Sequence, residues 1–424
     1  MTDFNGRRLL LVSTNYAPEH AGIGPYATQI AEHWAARGAE VHVLAGMPHY
    51  PAWRLEPAYR GVWRTEETRG GVRVHRRRHT VPPRQTALRR ALFEASVLVH
   101  GLVAPPRIPR PDAVLAQMPS LAGGILAARL AGRYGVPYVP VVQDLMGAAA
   151  AQSGIRGGDR AASAAGAAEA YALKRGTLVG VIHESFVDKA AALGVDRARI
   201  RLVPNWSHVA RPSRPRAETR ARLGWPQDQT VVLHSGNMGL KQGLEVLVEA
   251  ARQDPEVRVV LMGDGNQRAH LVQLAGGEDA LPNLHFLPPC DEADFPDVLA
   301  AADVLAVTQR ASVLDMSIPS KLTSYFAAAR PVVASVAAEG GTAQEVIRSG
   351  AGVLVPPEDP GALLKAVRTI ADDPAAADEL GAHGPVYVDA HLSREAGLAR
   401  IDALVTEALE TTTKRTTHEG TART

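Results

Sequence analysis

Apolar residues in this chain gather into short β-branched runs, and most runs are followed by a glycine-bearing or polar turn and then by a stretch with helical spacing. In the first half the runs predict strands at 9–13, 41–45, 72–76, 113–116, 138–142, 178–181 and 200–203. Between the first two, Ala27, Ile30, Ala31 and Trp34 recur on one helical face, and Gly38 follows where a left-handed helix stop is expected. The second half repeats the rhythm. Strands are predicted at 231–235, 257–262, 284–287, 304–307, 332–335 and 352–355, with helices at 244–252, 267–274, 295–301, 321–329 and 360–371. Strand–helix alternation of this kind gives parallel sheets covered by helices on both faces.

The chain has 424 residues, too many for one ordinary core, which makes two domains the default. The Pro-rich, charged stretch 211–216 (RPSRPR) is the natural linker. The expected layout is a first domain over 1–210, a second over 217–410, and a polar, low-complexity tail over 411–424 that is expected to be disordered. In such a layout the last helix can cross back onto the first domain. A single cysteine, Cys290, excludes an intrachain disulfide framework and a cysteine-based zinc site, and it points to a reducing, cytoplasmic compartment. The N-terminal apolar run is too short for a signal peptide, and no run is long enough for a spanning helix. A net charge of +2 gives no argument for nucleic acid as a partner.

One segment departs from this pattern. Arg76, Arg77, Arg78, Arg84, Arg89 and Arg90 lead into an apolar helical stretch ending at Val103. Such a segment can lie in a membrane interface with its arginines on anionic headgroups, which would make 84–103 a peripheral contact with the inner face of the cell membrane. It can equally be a core helix with a solvated basic lead-in.

Chemistry concentrates at the strand ends. Gly22, Gly24 and Ala27 spell G-x-G-x-x-A, formally a dinucleotide fingerprint. Six residues separate the strand from the first glycine, and the second strand ends without a carboxylate for a ribose, so a nicotinamide cofactor is disfavoured. The turn Gly236–Asn237–Met238–Gly239–Leu240–Lys241–Gln242–Gly243 is a better anion site, because Lys241 sits at a helix start, where a cation opposes the dipole unless an anion is bound. Gly263–Asp264–Gly265–Asn266 ends the next strand. A later polar loop holds Asp315, Ser317, Ser320 and Lys321, which can offer hydroxyls and amides to a sugar and its phosphates.

Several stretches together resemble the GT-B-fold retaining glycosyltransferases of family 4, particularly the branch that builds bacterial exopolysaccharides such as colanic acid. They are NYAPEHAGIGPYA, PHYPAW, VVQDL, LVPNW, GNMGLKQGLEVLVEAA, VVLMGDG, and PSKLTSYFAAARPVV with GAGVLVPPEDP, running from the first strand to about residue 371. The resemblance implies an α/β chain of GT-B architecture, with two Rossmann-like parallel-sheet domains facing a central cleft. It implies a nucleotide-diphosphate-sugar donor held by the second domain, no further cofactor and no metal. A glycan, lipid-linked or small-molecule acceptor is held by the first. Lys241 would hold the diphosphate, with Asn237 beside it, and Gly22 and Gly24 would line the reaction centre. Gly263, Asp264, Pro288, Asp315, Ser320, Lys321 and Ser324 complete the donor side, with Pro289 beside Pro288 against the base. Asp144 stands near the transferred sugar in this picture, its alternative being a buried carboxylate that caps the turn. His49, Tyr50 and Trp53 are candidates for the acceptor or are aromatic packing of their loop.

Two positions depart from the family pattern. Ser324 replaces the glutamate that usually binds the ribose, and Ala329 replaces a glycine. A serine bonds a ribose hydroxyl without charge assistance, so weaker donor binding is expected. Two other functions remain open: a nucleotide-sugar 2-epimerase-like enzyme, and a non-catalytic protein that binds nucleotide sugar or a partner transferase.

Overall fold

The computed structural model describes residues 4–20, 22–82, 87–118, 120–144, 158–207, 210–313 and 321–421. The chain forms two units, residues 1–205 with 397–424, and residues 206–396.

The first unit is built on an eight-stranded sheet of β1 (Arg8–Ser13), β2 (Glu40–Gly46), β3 (Arg64–Arg69), β4 (Val72–Arg77), β5 (Ala113–Met118), β6 (Tyr138–Val142), β7 (Val179–Val181) and β8 (Ile200–Leu202), in the order β3-β4-β2-β1-β5-β6-β7-β8. All neighbours pair in parallel except β3, which runs antiparallel to β4. The apolar runs predicted seven of these strands. β3 escaped because RTEETR has no apolar alternation: it is an edge strand, and its outward side chains are exposed. Leu10, Val12, Val114 and Ala116 pack against the helix Leu121–Tyr134 in one core layer.

The second unit carries a six-stranded, wholly parallel sheet of β9 (Val231–Ser235), β10 (Arg258–Met262), β11 (Leu284–Leu287), β12 (Val304–Thr308), β13 (Val332–Ser335) and β14 (Gly352–Val355). Their order is β11-β10-β9-β12-β13-β14, the Rossmann arrangement. Val231 and Leu233 enter the core on one face, and Val232 enters the other. Both sheets reverse direction of winding beside their first strand, between β1 and β5 and between β9 and β12. Ligands of open α/β sheets bind at the carboxyl ends of such strands.

The expected division changes in two ways. The units separate at Asn205 and Trp206 rather than in 211–216, and the C-terminal residues belong to the first unit rather than the second. The physical reason is a buried carboxylate. Asp402 accepts hydrogen bonds from the indole of Trp34 and from His33, each at 2.9 Å, and pairs with Arg37. Leu398, Ile401, Leu404, Val405 and Ala408 are buried along the same helical face. Residues 411–421 of the tail expected to be disordered continue the helix Arg394–Thr421, whose sequence holds no proline and, between Gly397 and Gly420, no glycine.

Candidate functional site

In the second unit, β9 ends at Ser235 and the chain turns through Gly236, whose φ of +114° favours glycine. The loop that follows is stitched to the turn after β10. Met238 N–H donates to Asp264 O at 2.8 Å, and Gln267 N–H donates back to Met238 O at 2.9 Å. The two backbones approach so closely that a Cβ on Gly263 would lie 2.0 Å from Gly236 O, and one on Gly265 would lie 2.4 Å from Met238 O. Gly236, Asn237, Gly263 and Asp264 are thereby brought to one place. Asn237 and Asp264 are exposed, and Gly263 is buried.

The half-buried cation of this site is Lys321. Its Nζ lies 3.1 Å from His234 Nε2, and the space a Gly236 Cβ would occupy is 3.6 Å from the same nitrogen. His234 is fully buried in β9, with Nδ1 3.3 Å from Ala306 O of β12. A carbonyl only accepts, so Nδ1 carries the proton and Nε2 is left to accept from the Lys321 ammonium. The pair therefore sits at the point between β9 and β12 where the winding reverses. Burial lowers the Lys321 pKa from 10.5 to about 7. Burial, and after it the Lys321 charge, holds His234 well below the ordinary histidine range. One turn along the helix Lys321–Ala327, Ser324 is buried, and Tyr325 Oη accepts the Ser235 N–H at 2.7 Å.

Lys241 stands differently. The helix predicted to open at Leu244 is preceded by a separate 3₁₀ turn, Leu240–Gln242, and Lys241 is exposed on it. Its backbone is held by Arg310, whose N–H donates to Lys241 O at 3.0 Å while its Nε donates to Leu240 O at 2.8 Å. Glu245 and Glu358 pair with the same guanidinium. Arg310 is thus the brace of this loop, and sequence reasoning passed over it, as it did His234. Pro288 and Pro289 follow β11 at the sheet edge and are exposed. Asp315 and Ser320 lie outside the described residues.

In the first unit, the loop after β1 is organised by a residue that spacing did not reveal. Glu19 is buried, and its carboxylate accepts N–H bonds from His49 (2.7 Å), Tyr50 (2.8 Å) and Tyr16 (3.2 Å). Burial pushes its pKa upward against these bonds. Gly24 fits because a Cβ there would lie 2.9 Å from Glu19 O; Gly22, at φ +64°, fits against the ring of Tyr50. Only an acidic residue beside two glycines hinted at this arrangement.

Of the three aromatic candidates, His49 is buried against the rings of Trp53, His79 and Phe93, and burial lowers its pKa to about 4. Tyr50 and Trp53 are partly exposed above it. Asp144 lies two residues beyond β6 and is exposed. Beside it Gln143 bonds Gln117 at 2.9 Å and Asn205 at 2.8 Å. Among the described residues, no three His, Cys, Asp or Glu side chains are grouped to hold a metal ion. None of the described helices is long and apolar enough to cross a membrane.

Comparison with known proteins matches this geometry to known families. Residues 21–206 match the glycosyl transferase 4-like domain, and residues 215–385 match the glycosyl transferases group 1 domain. A protein of Escherichia coli (strain K12) that carries the name colanic acid biosynthesis glycosyl transferase WcaI is 32% identical over 378 residues, covering 85% of this chain and 91% of that protein. A D-inositol 3-phosphate glycosyltransferase of Kineococcus radiotolerans is 34% identical over 45% of this chain and 47% of its own length. Among solved structures, sucrose-phosphate synthase of Thermosynechococcus elongatus superposes with a TM-score of 0.73 at 22% identity, covering 95% of this chain and 98% of that one. HepE of Anabaena in complex with UDP-glucose superposes with a TM-score of 0.64 at 17% identity, covering 95% and 99%. At these identities the structures establish the fold alone.

Proposed function

Because this chain belongs to the GT-B glycosyltransferases that join a 4-like domain to a group 1 domain, we propose that it moves a sugar, with retention of configuration, from a nucleotide-diphosphate sugar to a glycan or lipid-linked acceptor in exopolysaccharide assembly. The observation that carries this reading is the half-buried Lys321 amine, 3.1 Å from a buried imidazole, beside a glycine loop at the sheet's winding reversal. A partly desolvated cation beside a neutral partner favours an anion, and a diphosphate supplies one. UDP-glucose bound to the structural neighbour HepE, and the name of the E. coli relative, support the donor class and the pathway.

In this reading the bond from the sugar's anomeric carbon to the diphosphate oxygen breaks. A bond to the acceptor oxygen forms on the same face, and the acceptor's proton passes to the leaving diphosphate. Lys321 stabilises the charge that develops on that leaving group, with Lys241 and Asn237 at the rim. Ser324 meets the ribose, Asp264 and Pro288 flank the donor, and Asp144, Gly22 and Gly24 belong to the transfer side. No metal ion is needed when a lysine meets this charge.

The test is a thermal-shift screen against UDP, GDP, dTDP and ADP and their sugars, followed by product NMR at the new anomeric centre. A shift confined to one nucleotide, with a retained anomer, is expected; an inverted anomer refutes the mechanism. Ser324 in place of a glutamate also favours a second reading, binding without turnover. Donor binding with neither hydrolysis nor transfer selects it.

A further inference from the structure

The helix Ala87–Val103 has an inner and an outer face of unusual contrast. The inner face is fastened to the first unit. Phe93 is buried among His49, Trp53 and His79, and Glu94 accepts hydrogen bonds from Ser120 Oγ (2.5 Å) and Ala122 N–H (3.0 Å). Gly101 sits so close to Leu126 that a Cβ would lie 2.3 Å from its Cδ2. The outer face of a helix held this way is ordinarily polar. Here it is apolar: Leu88 is 71% exposed, Leu92 55%, Val99 52%, Leu102 44% and Val103 73%. These positions recur at i, i+4, i+11, i+14 and i+15, and Ala91 and Ala95 continue the stripe in the gap. Trp63, 52% exposed, lies beside the helix with its ring centroid 4.4 Å from that of His100. Five of the eleven exposed large apolar side chains among the described residues fall on this one helix, and the others outside it, Trp63 apart, are scattered singly. A contiguous apolar stripe of this kind marks a contact surface.

Charge selects the occupant. Residues 76–110 contain eight arginines and one acid, Glu94; Arg76 and Arg77 are buried in the sheet and Arg90 pairs with Glu94, which also accepts from Ser120 on the inner side. Arg78, Arg89 and Arg107 are exposed around the stripe. Two copies of this face brought together would set arginine against arginine, whereas an anionic surface neutralises them. The helix spans about 25 Å and is not long and apolar enough to cross a membrane. A tryptophan at the rim suits the headgroup level.

We infer that the outer face of Ala87–Val103, with Trp63, docks the first unit on an anionic phospholipid bilayer. The apolar stripe enters the boundary between headgroups and acyl chains, and the arginines hold the phosphates. This surface is independent of the donor site, so each can fail without the other.

The experiment is co-sedimentation of the full-length protein with vesicles of phosphatidylcholine alone and of phosphatidylcholine with phosphatidylglycerol. The wild type is expected to pellet with the anionic vesicles, to pellet weakly with the neutral ones, and to be released by salt. A Leu92→Ser, Val99→Ser, Leu102→Ser variant changes only outward positions. It is expected to lose at least tenfold in vesicle affinity with its Tm and nucleotide-induced shift unchanged. Arg89→Gln with Arg107→Gln is expected to weaken binding to anionic vesicles alone. An Ile347→Ser variant, at a lone exposed apolar position of the second unit, is expected to bind as wild type. A wild type that stays in the supernatant overturns the inference. So does a triple variant that binds equally well, or a protein that is dimeric through this face and releases vesicles only as a dimer.

Discussion

Replacing Lys321 by methionine separates the two lysines of the donor site. Methionine keeps the length and apolar contacts of the side chain and removes its charge. In the free protein that charge is a liability: it is half-buried, and its near partner is a neutral imidazole 3.1 Å away. Removing it is therefore expected to leave the Tm equal or higher. With nucleotide the balance reverses, because a charge-assisted hydrogen bond contributes about 1.5–3 kcal/mol, so Lys321→Met weakens nucleotide binding by about 10- to 150-fold. Lys241 is exposed, its interaction is screened, and Lys241→Ala costs less than about tenfold.

The pH dependence carries a second signature. The folded pKa of Lys321, about 7, lies below the 10.5 of an ordinary lysine, so the unfolded chain binds more protons between these values. The free protein therefore gains stability as pH rises from about 7 towards 10.5, and Lys321→Met removes that gain. Nucleotide binding runs the other way. A bound diphosphate favours the ammonium, so affinity falls above pH 7 by up to about tenfold per unit. Titration calorimetry of UDP and GDP at pH 6.5, 7.5 and 8.5, with melting curves at each pH, measures both effects. If Lys321→Met binds nucleotide as wild type with the same pH profile, the cation of the site is not Lys321. Loss of binding in Lys241→Ala alone would assign it to the exposed lysine.

Other perturbations test the supporting structure. Gly263→Ala drives a methyl into Gly236 O and is expected to cost about 2–4 kcal/mol, lowering the Tm of the second unit by about 5–15 °C, whereas Gly132→Ala, with open space around it, is expected to be neutral or stabilising. Glu19→Gln leaves one acceptor oxygen where three N–H groups converge; sugar transfer is expected to fall at least tenfold while the nucleotide-induced shift stays intact, and an unchanged transfer rate would remove Glu19 from the loop's support. Asp402→Ala removes the carboxylate that the Trp34 indole, His33 and the Arg37 guanidinium share, and the stability of the first unit is expected to fall by about 3–5 kcal/mol, read as a lower melting transition. Ser324→Ala is expected to weaken nucleotide binding by less than tenfold, measured by the same calorimetry, because a neutral hydroxyl contributes about 0.5–1.5 kcal/mol.

What could be read in the sequence follows from how far apart the cooperating residues are. A buried parallel strand announces itself locally, because both faces must be apolar; Val231–Leu233 and Leu9–Val12 needed no partner to be recognised. An edge strand such as RTEETR is defined only by its neighbour, β4, and its sequence is silent. The same holds for the sites. The glycines of 236–243 and 263–265 were legible because turn chemistry is local, yet the reason for Gly263, a backbone 27 residues earlier, was not. Lys321 was legible as one polar residue of a loop. Its near partner is His234, 87 positions away on a strand whose apolar pattern masks the histidine. Lys241 looked stronger because its turn motif is contiguous, and contiguity is what sequence reasoning weighs. Burial is what electrostatics weighs: a screened lysine on a 3₁₀ turn interacts weakly with an anion, and a desolvated one interacts strongly. That difference moves the expected centre of donor chemistry from the motif that is easiest to see to the lysine that is the less exposed of the two.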